Sequence, residues 1–145
     1  MLKSLTYSET TGEIDVLLPA AIAMFTEEVG ISPLNGDGGA SYRARVAELV
    51  RAGRAFARFE DGRVIFKAEV GAATPQDCLV QCVWVAPDRR GRGLAAPGMA
   101  AVVELARASI SPVVSLYVND FNTPARAAYR RVGFTESGRL MSVLF

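Results

Sequence analysis

VAPDRRGRGLAAP, residues 85–97, sets three arginines and two glycines between an apolar run and a run of alanines. Arg89, Arg90 and Arg92 supply positive charge, and guanidinium groups suit fixed contacts to anions. Gly91 and Gly93 let backbone N–H groups turn toward such an anion with no Cβ in the way. A strand reads into this stretch and a helix reads out of it. A helix N-terminus adds unpaired N–H groups and the positive end of the helix dipole. The chemistry that fits is the cradling of a phosphate, and the plain alternative is a surface turn. Gly91-Arg92-Gly93-Leu94-Ala95-Ala96 also fits the G-x-G-x-x-A of dinucleotide sites. However, five residues separate its first glycine from the strand, whereas that fingerprint follows its strand directly. No Gly-Lys-Ser/Thr follows, so it is not an ATP-type P-loop.

Other chemistries are excluded or weakened by composition. With no histidine in 145 residues, Ser-His-Asp and Cys-His catalysis are excluded, and no metal site is expected. Cys78 and Cys82 lie four residues apart on one expected strand, about 13 Å, too far for a disulfide. They read as reduced core thiols. A net charge of +1 argues against a nucleic-acid partner. No apolar run is long enough to span a membrane, and the start, MLKSLTYSETTGE, lacks a signal-peptide core, so a cytoplasmic location is expected. Arginine outnumbers lysine fourteen to two, which reads mainly as coding bias.

The elements that must position the loop read as one α/β domain over residues 1–145, a layered α+β arrangement. Residues 2–7 read as a short strand. Asp15 reads as an N-cap, with Pro19 at the fourth helical position, Leu18, Ile22, Phe25 and Val29 as the apolar stripe, and Gly30 as the stop. Ser41 reads as the cap of a second helix that buries Tyr42, Val46, Leu49 and Val50 and stops at Gly53. RAFARFE and RVIFKAEV flank Asp61-Gly62 as a hairpin, a register that opposes Glu60 to Arg63, Phe59 to Val64 and Arg54 to Glu69. CLVQCVWV, residues 78–85, is apolar enough to be interior to a sheet. A helix over 94–107 holds Pro97 in its first turn. VVSLYVND reads as a further buried strand. Thr123 then caps a helix with Pro124 first and Gly133 just past its end, and GRLMSVLF reads as an edge strand.

Two stretches resemble the signatures of the GNAT family of N-acetyltransferases. In that family a Val-x-Val-x-Pro strand end leads into Arg/Gln-x-x-Gly-x-Gly/Ala, here Arg90 to Ala95. Downstream, LYVNDFNTPARAAYRRVGF is similar to the second signature through Asn122, Tyr129, Gly133 and Phe134. The resemblance implies a mixed, mostly antiparallel sheet of six to seven strands with helices on both faces. It implies acetyl-coenzyme A as acyl donor, an amine acceptor and no metal, in a monomer or homodimer. LLPAAIAMFTEEVGISPL is similar to the second half of two-domain bacterial members, which would make this chain a fragment or a shorter relative.

The roles follow position by position. Val83, Trp84 and Val85 would offer their backbone to the pantetheine arm, one N–H polarising the thioester carbonyl. Arg90, Gly91, Arg92, Gly93, Leu94, Ala95 and Ala96 would hold the pyrophosphate. Tyr129 occupies the place of the acid that protonates the departing thiolate. Asn122 either bonds the pantetheine arm or satisfies the turn before Thr123. The strand that often carries a carboxylate base offers only Gln81, and Tyr117 stands where some members carry glutamate. Glu69 is a candidate base, but its expected pairing with Arg54 favours a structural role. Glu27 and Glu28 either attract a cationic amine or are solvated helix-end charges. The expected activity is N-acetyl transfer to a primary amine by direct attack, with a non-catalytic acyl-coenzyme A-binding module as the alternative.

Overall fold

The computed structural model describes residues 2–4, 13–139 and 141. Its elements run β1 (Leu2–Ser4), α1 (Glu13–Val29), α2 (Ala40–Arg51), β2 (Ala55–Glu60), β3 (Arg63–Ala73), β4 (Asp77–Val85), a 3-10 turn at Pro87–Arg89, α3 (Ala95–Ser109), β5 (Val113–Leu116) and α4 (Thr123–Val132). The sheet order is β1-β2-β3-β4-β5. All neighbours are antiparallel except β4 and β5, which run parallel because α3 crosses between them. Five strands are thus formed among the described residues, fewer than the six to seven expected. GRLMSVLF lies largely outside those residues, and its described members Gly138, Arg139 and Met141 are not in a strand. No helix among the described residues is long and apolar enough to cross a membrane.

Helices cover both faces. On one, α1 and α2 bury Ile14, Leu17, Met24, Val46 and Val50 against Ala55, Ala57, Ile65 and Trp84. On the other, α3 buries Met99, Val102 and Ala106 against Phe56, Phe66, Val70 and Val80, with Tyr129, Val132 and Phe134 packed alongside. The helix α3 comes very close to the sheet at Gly98, where a Cβ would lie 2.7 Å from the Phe66 ring.

Several local expectations shift. The helix α1 starts at Glu13, so Asp15 lies inside it and pairs with Arg43 of α2 at 2.6 Å. Pro19 falls in the second turn and has no N–H to give the Asp15 carbonyl. The buried stripe is Ile14, Leu17, Ala20, Ala21 and Met24, while Val29 is 54% exposed. Two small alanines share this buried stripe with Ile14, Leu17 and Met24. The cap of α2 is Gly39, with Asp37 accepting from the Gly39 and Ser41 amides at 3.0 Å each. Asn122, not Thr123, caps α4, its Oδ1 accepting from Ala125 N at 3.3 Å, which puts Pro124 second in the helix. The strand β5 stops at Leu116, and Tyr117 beyond it is 71% exposed.

The hairpin turns where expected, with Glu60 opposite Arg63 and Phe59 opposite Val64. A bulge between Arg58 and Phe59 then moves the register by one, so Ala55 faces Glu69. Arg54 therefore does not oppose Glu69. Its carbonyl instead accepts from Val70 N at 2.8 Å.

The tight approach at Gly98 is testable. Gly98→Leu should lower unfolding free energy by about 1–3 kcal/mol, because Phe66 is fully buried and has no room to yield. An unshifted urea midpoint would show that α3 can ride outward freely.

Candidate functional site

The arginine loop folds as a strand end, a 3-10 turn and a helix start. Gly91 and Gly93 adopt φ of 75° and 72°, left-handed values that glycine takes without strain. The first backbone bond of α3 runs from Gly98 N to the Leu94 carbonyl at 3.1 Å. The amides of Gly91, Arg92, Gly93, Leu94, Ala95 and Ala96 consequently have no backbone acceptor among the described residues. Six N–H groups in a row at a helix start form a cradle for an anion.

The arginines divide the labour. Arg89 pairs with Glu60 at 2.6 Å, and Asp88 beside it pairs with Arg63 of the hairpin. Arg90 donates from Nε to the Val85 carbonyl at 3.0 Å and from Nη2 to both Glu27 oxygens, at 2.8 and 3.0 Å. These two struts fix the loop on the sheet and on α1. Glu27 is thereby committed to the loop and is not a solvated helix end. Arg92 alone of the three makes no polar contact to the described residues, and it is exposed.

Strand β4 is irregular where the loop begins. Lys67 opposes Trp84 and Glu69 opposes Gln81, so Cys82 and Val83 together face the single residue Ala68. Such a bulge leaves its extra residue out of the ladder. Cys82 takes φ of 55°, a left-handed value that costs a residue bearing a Cβ about 1–2 kcal/mol. On its other side β4 pairs with β5 only from Asp77 to Val80. Among the described residues, no strand pairs with residues 81–85 on that side. Val83 and Val85 pack toward α3 and α4, while Cys82 and Trp84 face α1 and α2.

Below Cys82 lies a pocket of about 270 Å³ between α1, α2 and the sheet. Met24, Phe25, Val46 and Leu49 wall it, Glu28 and Arg45 are charged residues in its lining, and Glu69 and Cys82 reach it from the sheet. Glu69 Oε1 accepts from Gln81 Nε2 at 3.3 Å, and its Oε2 lies 4.0 Å from Lys67 Nζ. Gln81 can reach across because Gly71 has no side chain; a Cβ there would lie 2.1 Å from the Gln81 amide. The Tyr42 hydroxyl donates to the Ala21 carbonyl at 2.9 Å, joining α2 to α1. Burial, then the charge of Glu69, pushes this phenol up to about 12. The same two causes push the Cys82 thiol up to about 12, aided by its hydrogen bond to Glu69.

Tyr129 stands on the opposite face of the sheet, edge-on to Phe134 at a ring separation of 6.0 Å. Burial raises its phenol above the usual value, and its hydroxyl has no partner among the described residues. It is therefore a protonated donor without an acceptor. Asn122 spends its Oδ1 on the helix cap. Sequence reasoning missed Lys67 and Cys82 as site residues. Alternation on RVIFKAEV did hold a signal, since Lys67 and Glu69 must share one face of the strand.

The family model described as the acetyltransferase (GNAT) family matches residues 22–134. The chain belongs to the GNAT acetyltransferase family. No curated protein matches it in sequence. Solved structures share its fold at low identity. A probable acetyltransferase superposes with a TM-score of 0.75 at 15% identity, over 100% of this chain and 96% of that one. A putative acetyltransferase from Agrobacterium tumefaciens gives 0.74 at 17%, over 100% and 99%. The aminoglycoside N-acetyltransferase AAC(6')-Iy, bound to a bisubstrate analogue of coenzyme A, gives 0.73 at 17%, over 100% and 97%. GNAT members are acyltransferases, and the five-stranded mixed sheet here is a GNAT sheet.

The raised thiol gives a direct check on this floor. At pH 8.5, where an ordinary thiol is about half ionised, Cys82 with a pKa of about 12 should alkylate roughly 10³-fold more slowly. Its rate should climb tenfold per pH unit, and Glu69→Gln should speed it by removing the charge that opposes thiolate formation. Mass spectrometry of iodoacetamide labelling at position 82 reads this out. Labelling at the pace of a free thiol would place Cys82 outside the pocket floor.

Proposed function

We propose that the chain transfers the acetyl group of acetyl-coenzyme A to the primary amine of a small acceptor by direct attack. The observation that carries this reading is that residues 81–85, which β5 leaves unpaired, lead through a single 3-10 turn to the open amides of residues 91–96. The pantetheine arm would pair with the free side of Val83, Trp84 and Val85 as an added strand. The pyrophosphate would take the amides of Gly91, Gly93, Leu94, Ala95 and Ala96, with Arg92 as its charge partner. Arg90 acts as a strut to Glu27 and not as a phosphate ligand. One amide of the bulged segment would polarise the thioester carbonyl.

Glu69 is the base in this reading. Loss of the expected Arg54 partner, and its place in the pocket lining beside Gln81, support a catalytic role over a cross-strand ion pair. The carboxylate comes from the strand next to the usual one, at the level of Gln81. The ammonium of the acceptor first gives a proton toward Glu69, directly or through water, which frees its lone pair. The neutral nitrogen then bonds to the acetyl carbon and releases its second proton to water, from which the Tyr129 phenolate is later restored. The carbon–sulfur bond breaks, and Tyr129 gives its hydroxyl proton to sulfur from the other face. The acceptor enters as a cation, drawn by Glu28 and Glu69, with apolar parts against Met24, Phe25 and Leu49. Aminoglycosides, known as substrates by name for two of the folds it resembles, join polyamines and peptide amines as acceptors to screen.

A non-catalytic acyl-coenzyme A-binding module remains the second reading, because β4 presents Gln81 beside Glu69 and its one carboxylate, Asp77, lies at the other end of the strand and accepts from Ser115. Turnover with any acceptor decides between them. Glu69→Gln should then cut kcat by about 10²- to 10⁴-fold and leave acetyl-coenzyme A affinity nearly unchanged. An undiminished kcat would remove Glu69 from the chemistry.

Two further variants divide binding from turnover. Gly93→Asp should abolish the rise in melting temperature that acetyl-coenzyme A gives, by setting a carboxylate at φ of 72° beside the phosphates. Tyr129→Phe should bind normally and turn over roughly 10- to 100-fold more slowly. Normal binding by the first, or normal turnover by the second, would dismiss the corresponding role.

A further inference from the structure

We propose that Lys67 is the positioning residue of this site: its ammonium holds β4 in the bulged form that the acyl donor pairs with. The inference rests on the reading of β4 given above and names a residue that neither family signature contains. Lys67 is one of two lysines in the chain and is 2% exposed. A buried ammonium is costly unless its protons are satisfied. Its Nζ donates to the Cys82 carbonyl at 3.1 Å and lies farther, at 4.0 Å, from Glu69 Oε2. The nearer partner is thus the backbone and not the carboxylate.

That backbone group belongs to the strained residue. Among the described residues only Asp61 and Cys82 take positive φ without being glycine, and Asp61 lies in the hairpin turn. A left-handed residue inside a strand turns its carbonyl off the ladder, and a buried carbonyl off the ladder needs another donor. Lys67 supplies that donor from the adjacent strand, two residues along the same face from Glu69. Its charge strengthens the bond relative to a neutral donor. The bulge in turn sets which amides of residues 82–85 face the side that β5 leaves unpaired. Lys67 touches neither substrate, so it acts through Cys82.

Two ligands separate this role from simple core packing. Acetyl-coenzyme A uses both the bulged strand and the cradle, whereas ADP bearing the 3′-phosphate of coenzyme A uses the cradle alone. Lys67→Met, which keeps the length and loses the donor, should weaken acetyl-coenzyme A by about tenfold or more and leave the nucleotide within about twofold. Cys82→Gly, which takes φ of 55° without strain, should restore acetyl-coenzyme A binding when added to Lys67→Met. Isothermal titration of the full chain measures both ligands, and circular dichroism checks the fold. Equal binding of acetyl-coenzyme A by wild type and Lys67→Met would overturn the role of Lys67 alone. So would a loss that Cys82→Gly does not repair, or a double variant that does not fold, since either makes Lys67 a core element. Wild-type protein that binds neither ligand would overturn the cofactor reading and this proposal with it.

Discussion

Strand β4 is held firmly on one edge and paired over only part of the other, and the elements around it are arranged by that asymmetry. Its β3 edge is paired along nearly its whole length, while its β5 edge is paired over only four residues, Asp77 to Val80. A sheet strand left half-paired in the interior of a domain exposes backbone donors and acceptors that burial would penalise. The fold tolerates this because α3 is launched from the end of β4 and covers one face, while α1 and α2 cover the other. Each neighbouring element is then fixed by contacts to β4 or to the loop that follows it: Arg90 to α1, Arg89 and Asp88 to the hairpin, Lys67 to the bulge.

The two faces of the sheet carry different chemistry. Toward α1 and α2, the sheet brings the Glu69 carboxylate and the Cys82 thiol to the pocket, with the Lys67 ammonium and the Gln81 amide beside Glu69. Toward α3 and α4, a single phenol stands among apolar side chains. A reaction that removes a proton on one side and delivers one on the other is served by such a division, since the two groups do not compete for the same proton. The close seating of α3 through Gly98 on Phe66 keeps the helix start, and with it the amide cradle, at a fixed height over the strand end.

Much of this was legible in the residues. The Asp61-Gly62 turn, the interior β4, the helix opening near Pro97 and the Gly133 stop each follow from local rules of turn chemistry and capping, and each stands as expected. What failed were matters of register and coverage. Nothing local announces the extra residue at Ile65 that moves Glu69 away from Arg54, because a bulge is fixed by packing across strands. Apolar residues in VVSLYVND indicate hydrophobicity but not whether a neighbour covers them, and β5 ends after four of the eight. In α1 the large residues drew attention from Ala20 and Ala21, which are buried with Ile14, Leu17 and Met24. The turn made by Gly91 and Gly93 ahead of the helix start was readable; the commitment of Arg90 to Glu27 was not, since those residues lie 63 positions apart.

The ion pairs that pin the arginine loop lie near water, whereas the contacts beneath the pocket do not. Arg63 and Asp88, and Arg90 and Glu27, are all roughly half exposed in their side chains, while Lys67 is 3% and Glu69 is 17% exposed. Mobile ions screen the first group within about 10 Å at ordinary salt and scarcely reach the second. Ionic strength is therefore a handle on one half of the site. Added salt loosens the struts around residues 87–90 and weakens any phosphate held at Arg92, while the bulge and its lysine keep their geometry.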